Sequence, residues 1–186
     1  MKWIGERISF SEEKNKTTIV INPEDHTWLK AVMGAWVSMW YTIGGVITWS
    51  YFKLDLSQQE SLILVIFMVF WLYFAYKVTG SFLWMLWGKE LIKIDEVALY
   101  YKRSIKKYGK STPYYLENIS KLELNQPKEK SVQAAWEKSP WIAGGERIEF
   151  EYLGKRVKFG RKLNEKDTTL LFKLIAKRIS ERLKGK

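Results

Sequence analysis

Two long apolar blocks interrupt an otherwise polar chain, and they define its organisation. The first block, residues 31–52, contains no charged side chain. The second begins at residue 61 and continues past Lys77 toward residue 82. A helix of about 20 residues is about 30 Å long, which matches the hydrocarbon core of a bilayer. The pattern predicts two transmembrane helices, over residues 31–52 and 61–82.

Side chains suited to the membrane–water boundary flank both predicted spans. Trp28 and Trp49 are separated by 21 positions, or about 30 Å along one helix, and therefore fall at opposite interfaces. Trp84 and Trp87 follow the second span, and Lys77 lies in its predicted last turn, from which a long side chain reaches the headgroups. We expect all five residues to be interface anchors. A lysine on an intramembrane ion pathway is the alternative for Lys77.

A short polar connection, residues 53–60, separates the two spans, so the helices must run antiparallel with both termini on one side. Lys89, Lys93, Lys102 and Arg103 follow the second span closely, and the positive-inside rule therefore predicts that both termini are cytoplasmic in an inner (cytoplasmic) membrane. The first span has no cleavage pattern and follows 30 mostly polar residues, so we expect an anchor rather than a signal peptide.

Small residues in the first span predict close helix packing. Gly34, Ala35, Gly44 and Gly45 remove side-chain bulk from the helix surface, which allows another helix to approach. We therefore expect other integral membrane subunits as partners.

The segment before the first span, residues 1–28, carries two β-prone runs at residues 7–11 and 16–21. They predict a hairpin that ends at Pro23, because proline cannot continue the ladder. An isolated hairpin is only marginally stable, so we expect this one to pack on the C-terminal domain or on a partner.

Beyond residue 88 the pattern changes to the two-residue period of β-strands, and a helix closes the chain. Strands are predicted within residues 91–105, 114–124, 147–152 and 156–159, with a long loop over residues 125–145. Asn164 is a suitable N-cap for the final helix. Its apolar stripe comprises Leu170, Leu171, Leu174, Ile175, Ile179 and Leu183. Residues 88–186 therefore form an α+β domain.

Several segments of this domain resemble a known family. They are residues 87–95 (WGKELIKID), 99–103 (LYYKR) and 117–122 (ENISKL), followed by the 146–160 hairpin and the terminal helix. Together they resemble the pleckstrin-homology-like domain of bacterial membrane proteins in which that domain follows a two-helix hairpin. The whole layout is similar to that of the photosystem I assembly factor family. The resemblance implies a pleckstrin-homology-like fold on a membrane-anchored platform, usually without enzymatic activity.

The composition excludes much catalytic chemistry. The chain has no cysteine and one histidine, His26, so no thiolate or histidine-cluster metal site is predicted within it. His26 is expected to be an interfacial turn residue, with contact to a cofactor of a neighbouring subunit as the alternative. The run 109–112 (GKST) resembles a phosphate-binding loop, but Ser104 stands where the first glycine belongs and Pro113 follows. We predict no catalytic residue, metal, cofactor or small-molecule substrate.

Positive charge is concentrated after the second span. The chain carries 31 basic and 20 acidic residues, and the whole net charge of +11 falls in residues 89–186. We define the basic cluster as Lys102, Arg103, Lys106, Lys107 and Lys110. Because the domain is tethered close to the bilayer, we expect these residues to contact anionic lipid headgroups. A solvated basic face is the alternative, and no recognition motif favours nucleic acid.

These patterns lead to one functional expectation and two rivals. The expectation is a non-enzymatic integral membrane protein that acts as an assembly factor or accessory subunit of a larger membrane complex. The first rival is a membrane-tethered module that binds or senses anionic lipid. The second rival is an enzyme.

Overall fold

The computed structural model describes residues 2–24, 26–125, 139 and 144–184. The predicted long loop over residues 125–145 therefore lies almost entirely outside the described residues. The chain forms two compact units. The first unit, which we call the β-domain, combines residues 1–24 with residues 87–186, and the second, the helical hairpin, comprises residues 25–86.

Two long antiparallel helices form the helical hairpin. They are α1 (Thr27–Lys53) and α2 (Gln58–Trp87). Trp40 of α1 stacks on Trp71 of α2 with ring centroids 6.2 Å apart. The Tyr41 hydroxyl lies 2.8 Å from the Thr79 hydroxyl, which adds a polar contact between the helices. Both helices are long and apolar enough to cross a membrane.

The second helix is longer than its predicted span. It ends at Trp87 rather than near residue 82, because residues 82–87 are apolar and no proline interrupts them. Lys77 is therefore ten positions before the helix end and is not in the last turn. Its ammonium group lies 5.6 Å from the centroid of the Tyr73 ring, one turn earlier on the same helix.

The β-domain contains two antiparallel sheets and one α-helix. The six-stranded sheet has the order β1 to β6, and the three-stranded sheet has the order β7, β8, β9. The strands of the first sheet are β1 (Lys2–Ile4), β2 (Ile8–Glu12), β3 (Thr17–Ile21), β4 (Gly88–Ile94), β5 (Ala98–Ile105) and β6 (Ser111–Tyr115). A 3₁₀ turn (Leu116–Asn118) leads to β7 (Ile119–Leu124), β8 (Glu146–Tyr152), β9 (Lys155–Arg161) and α3 (Glu165–Lys184).

The N-terminal segment packs on the C-terminal domain, which is one of the two locations expected for its hairpin. An additional strand, β1, precedes the predicted hairpin. Strand β3 pairs with β4 along its whole length, from Thr17 opposite Ile94 to Ile21 opposite Glu90. This pairing gives the exposed edge of the β2–β3 hairpin main-chain hydrogen-bond partners. In sequence, the helical hairpin is therefore inserted between β3 and β4, two neighbouring strands of one sheet.

Arg7 also fastens the N-terminal strands to the end of β9. Its guanidinium donates to the carbonyl oxygens of Asn22 at 3.1 Å, Lys162 at 2.6 Å and Arg161 at 3.3 Å. Glu24 lies 3.5 Å from the same group. Burial lowers the pKa of Arg7, and Glu24 is the nearest of the carboxylates that oppose this effect.

The two sheets and α3 share one hydrophobic core. Leu171, Ile175 and Ile179 of α3 are buried, which confirms the centre of the predicted stripe. Leu170 and Leu183 are 40% and 41% exposed, so the predicted stripe was too wide. The helix starts as predicted, because the Asp167 amide donates to the Asn164 side-chain oxygen at 2.7 Å.

The neighbouring leucines of α3 provide a matched test of this packing. Leu171→Ala should lower the free energy of unfolding by about 2–5 kcal/mol, because it leaves a cavity in the core. Leu170→Ala removes the same atoms from an exposed site and should cost less than about 1 kcal/mol. Both losses of unfolding free energy are measured by urea unfolding of the entire chain in detergent, with hydrogen exchange of the β8 and β9 amides as the readout. Equal losses would show that α3 does not pack as described.

Candidate functional site

Most of the basic cluster lies at the turn between β5 and β6. We call residues 106–110 the basic turn. The Lys106 ammonium lies 4.1 Å from the centroid of the Trp87 ring, a cation–π contact. Lys102 donates to the Lys107 carbonyl oxygen at 3.2 Å, and Tyr108 is 84% exposed at the tip. The turn therefore presents lysines beside exposed aromatic rings.

The sequence GKST at residues 109–112 belongs to this turn and not to a phosphate-binding loop. Ser111 begins β6, and no helix follows it. Gly109 has φ +148°, and a Cβ atom there would collide with the carbonyl oxygen of Arg103. The glycine is therefore required for the close approach of the turn to β5.

Arg103 forms its hydrogen bonds with residues outside the basic turn. Its Nε donates to the Tyr101 hydroxyl at 2.7 Å, and its Nη2 donates to Glu146 Oε1 at 2.8 Å. Nη2 also donates to the Lys158 carbonyl oxygen at 3.1 Å. Arg103 thus links β5 with β8 and β9, a role that its position in a basic run did not indicate.

A buried carboxylate lies behind Arg103. Glu90 of β4 is 1% exposed and accepts a hydrogen bond from the Tyr101 hydroxyl at 3.1 Å. Its two oxygens also accept the amides of Gly160 at 2.8 Å and Arg161 at 2.9 Å. These bonds join β4 of the first sheet to β9 of the second. We call the buried Glu90 and Tyr101, together with Arg103, whose side chain is 47% exposed, the buried latch.

The latch changes the acid–base properties of two of its members. Burial raises the pKa of Tyr101 far above its ordinary value, and the neighbouring Glu90 raises it further. Burial alone would lower the pKa of Arg103, but Tyr101, Glu90 and Glu146 raise it above its usual range. The hydroxyl therefore stays protonated and the guanidinium stays charged near neutral pH.

A cleft of about 570 Å³ opens between the β5–β6 part of the first sheet and strand β9. We call it the basic cleft. Its lining comprises four cationic residues, two tyrosines, one threonine, one valine and one glutamate: Arg103, Lys110, Arg156, Lys158, Tyr101, Tyr114, Thr112, Val157 and Glu146. Two members of the basic cluster, Arg103 and Lys110, therefore line the cleft together with Arg156 and Lys158 of β9, which lie outside that cluster.

The acidic residues of β8 have cationic partners. Glu149 lies 3.4 Å from the Lys158 ammonium and 3.7 Å from the Arg156 guanidinium. Glu151 forms an ion pair with Lys121 at 2.8 Å, which lowers the pKa of Glu151. Within the described ranges, no three histidine, aspartate or glutamate side chains converge on a point that could hold a metal ion. His26 is exposed at the N-cap position of α1 and makes no side-chain cap.

The small residues of α1 fall on two different faces. Gly44 packs against the Trp71 ring, and a Cβ atom there would collide with it. Gly34 faces Phe82, whose ring would lie 3.2 Å from an added Cβ. An added Cβ at Gly45 meets nothing within 4 Å, and Ala35 is exposed. Only half of the predicted packing set therefore faces α2.

The other half belongs to a longer exposed stripe with a spacing of three and four residues. We call it the outer stripe, and it comprises Ala31, Ala35, Ser38, Thr42 and Gly45, all exposed. This spacing keeps the residues on one face of the helix. Ala31, Ser38 and Thr42 of this stripe were not among the residues predicted from the sequence to pack against another helix.

The aromatic side chains predicted to lie at the membrane boundary are largely uncovered. Trp28 and Trp49 are 69% and 65% exposed, and Trp87 is 40% exposed. Trp84 is half-buried. Their assignment as interface anchors remains a prediction.

No protein-family model, curated protein or solved structure matches this chain. Its functional interpretation therefore rests on the geometry of the basic turn, the basic cleft and the outer stripe.

The buried latch predicts a specific dependence of stability on alkaline pH. The pKa of Tyr101 is raised in the folded protein, so its contribution is complete below the ordinary tyrosine pKa of 10.0 and is lost as the pH rises beyond it. The Tyr101→Phe variant has no ionisable hydroxyl at this position. The difference in unfolding free energy between the native chain and this variant should be constant up to about pH 9 and should shrink above about pH 10.

Urea unfolding of both proteins in detergent at a series of pH values measures this difference. Tyr108→Phe is the matched control, since Tyr108 is 84% exposed, and the corresponding difference should not change with pH. A constant difference for Tyr101→Phe up to pH 11 would contradict the latch.

Proposed function

We propose that this chain is a non-enzymatic integral membrane protein of an inner membrane, with both termini in the cytoplasm, that acts as an accessory subunit or assembly factor. The helical hairpin is the anchor and the β-domain is the cytoplasmic platform. The three-stranded sheet followed by a closing helix supports a pleckstrin-homology-like interpretation of the β-domain.

The outer stripe is the observation that carries this proposal. Only 11% of the most apolar window of each helix is buried inside the structure, so the hairpin covers little of its own surface. Large apolar side chains on that surface are well solvated by lipid. The outer stripe instead presents small and hydroxyl side chains, which gain contacts when another helix approaches closely.

A substitution on the outer stripe tests the proposal. Gly45→Leu places a large side chain where an added Cβ meets nothing in the structure, so the chain itself should fold normally. The variant should lose stoichiometric integral membrane subunits that co-purify with the native chain in mild detergent. Quantitative mass spectrometry of both purified samples measures the loss.

Val69→Leu is the control, because Val69 is 63% exposed on α2 and its replacement keeps an apolar surface. The Val69→Leu variant should retain every integral membrane subunit that co-purifies with the native chain. The proposal fails if the native chain purifies without other subunits, or if Gly45→Leu retains them all.

A second candidate function, binding of anionic lipid, is favoured by the basic turn. Lys106 and Lys107 stand beside the exposed Tyr108, and tyrosine is enriched where membranes meet water. Each lysine near an anionic surface contributes about 1 kcal/mol. The same purification distinguishes the candidates, since a single chain with bound lipid and no subunits favours this one.

The orientation of the hairpin is tested by labelling of introduced cysteines, because the native chain has none. Asp55→Cys lies between the two helices, and Lys155→Cys lies at the exposed start of β9. An impermeant maleimide added to intact cells should label the first and not the second. The opposite labelling would place the β-domain outside the cytoplasm and remove the basis for its contact with cytoplasmic partners.

A further inference from the structure

We propose that the basic cleft is a binding site for a phosphate monoester group, taken either from a soluble molecule or from a lipid headgroup. The site is built from separate parts of the chain. Arg103 comes from β5, Lys110 from the end of the basic turn and Thr112 from β6. Arg156 and Lys158 come from β9. Folding therefore brings together charges that a local basic run would not.

The charge balance of the cleft matches a dianion. Four cationic side chains and one carboxylate, Glu146, line it. Glu149 neutralises one further charge through its ion pairs with Arg156 and Lys158. Behind the lining, the carboxylate of Glu90 interacts with the opposite charge of Arg161, so these two charges cancel. Two positive charges remain, and a phosphate monoester carries a charge of about −1.5 to −2 at neutral pH. A carboxylate or a phosphate diester carries only one.

The available donors suit phosphate oxygens. The hydrogen bonds of Arg103 use Nε and Nη2, and among the described residues none uses Nη1. No ion pair of Lys110 occurs within the described part of the chain, and its side chain is exposed. The Nη1 group of a guanidinium and an ammonium group are both typical phosphate donors.

Arg103 is also held in position before any ligand arrives. The Tyr101 hydroxyl, Glu146 and the Lys158 carbonyl oxygen fix the Arg103 side chain at 2.7, 2.8 and 3.1 Å. A donor that is already ordered loses little conformational entropy on binding. The cleft of about 570 Å³ is widely open to solvent, so the molecule that carries the phosphate can extend out of it.

This site is different from the outer stripe, and it shares only Lys110 with the basic turn. The outer stripe lies in the helical hairpin, whereas every lining residue of the cleft lies in the β-domain. The inference therefore does not depend on a partner helix. If the phosphate belongs to a lipid, it gives the second candidate function a defined site and a headgroup chemistry.

Two probes separate the sources of phosphate. The entire chain in detergent is titrated with glycerol 3-phosphate, and binding is measured by isothermal titration calorimetry and by chemical-shift changes of the Thr112 and Lys158 amides. The entire chain in nanodiscs of phosphatidylcholine, with or without phosphatidic acid, is examined by the same amide shifts. Sulfate at equal ionic strength controls for general ionic effects.

The variant Lys110→Gln/Arg156→Gln removes two exposed charges of the cleft and leaves the buried latch intact. Its charge-matched control is Lys166→Gln/Lys173→Gln, which changes two exposed lysines of α3 outside the lining. The cleft variant should bind the effective probe about tenfold or more weakly, because two charge-assisted hydrogen bonds are lost. The control should change the affinity by less than about twofold.

Each outcome decides the inference. Saturable binding of glycerol 3-phosphate that the cleft variant weakens supports a soluble source. Amide shifts seen only with phosphatidic acid, and lost in the cleft variant, support a lipid headgroup. Absence of binding by both probes, or equal weakening in the cleft variant and its control, overturns the site. Co-purification of partner subunits with a chain that binds neither probe would leave the accessory-subunit proposal standing.

Discussion

The buried carboxylate of Glu90 is the constraint on which the β-domain depends. A carboxylate removed from water must have its oxygens hydrogen-bonded, or its burial is strongly unfavourable. The required donors come from Tyr101 on the neighbouring strand and from the amides of Gly160 and Arg161 at the end of β9. The two sheets therefore close together at this point. The same requirement orients Tyr101 so that its hydroxyl oxygen accepts a hydrogen bond from Arg103 Nε.

The sequence predicted those parts of the fold that depend on neighbouring residues. The β8–β9 hairpin and the start of α3 follow from alternation and from the N-cap at Asn164. The prediction that Leu170 belongs to the buried stripe was wrong, because a leucine at a suitable spacing does not show how wide the buried face is. The pairing of β3 with β4 left no local signal, because main-chain hydrogen bonds form with any sequence and the two strands are separated by the whole helical hairpin.

The sequence predicted the candidate site only as a local concentration of positively charged residues. The run from Lys102 to Lys110 is visible in the sequence, but alternation along β5 directs Lys102 and Arg103 to opposite faces. One consequence is that Arg103 becomes part of the buried latch. Arg156 and Lys158 join the cleft from a strand more than 40 positions away, which a search for local clusters does not find.

The insertion of the helical hairpin between β3 and β4 governs how the protein is made. During synthesis β1 to β3 leave the ribosome before β4, and the edge of β3 stays unpaired while 66 residues, from 22 to 87, are translated. At about 5–20 residues per second this interval lasts several seconds. An unpaired edge strand is a site of aggregation, so this interval is the vulnerable stage of biogenesis. Closure of the six-stranded sheet requires that both apolar helices have already been synthesised, and the folded β-domain therefore marks a chain whose helical hairpin is complete.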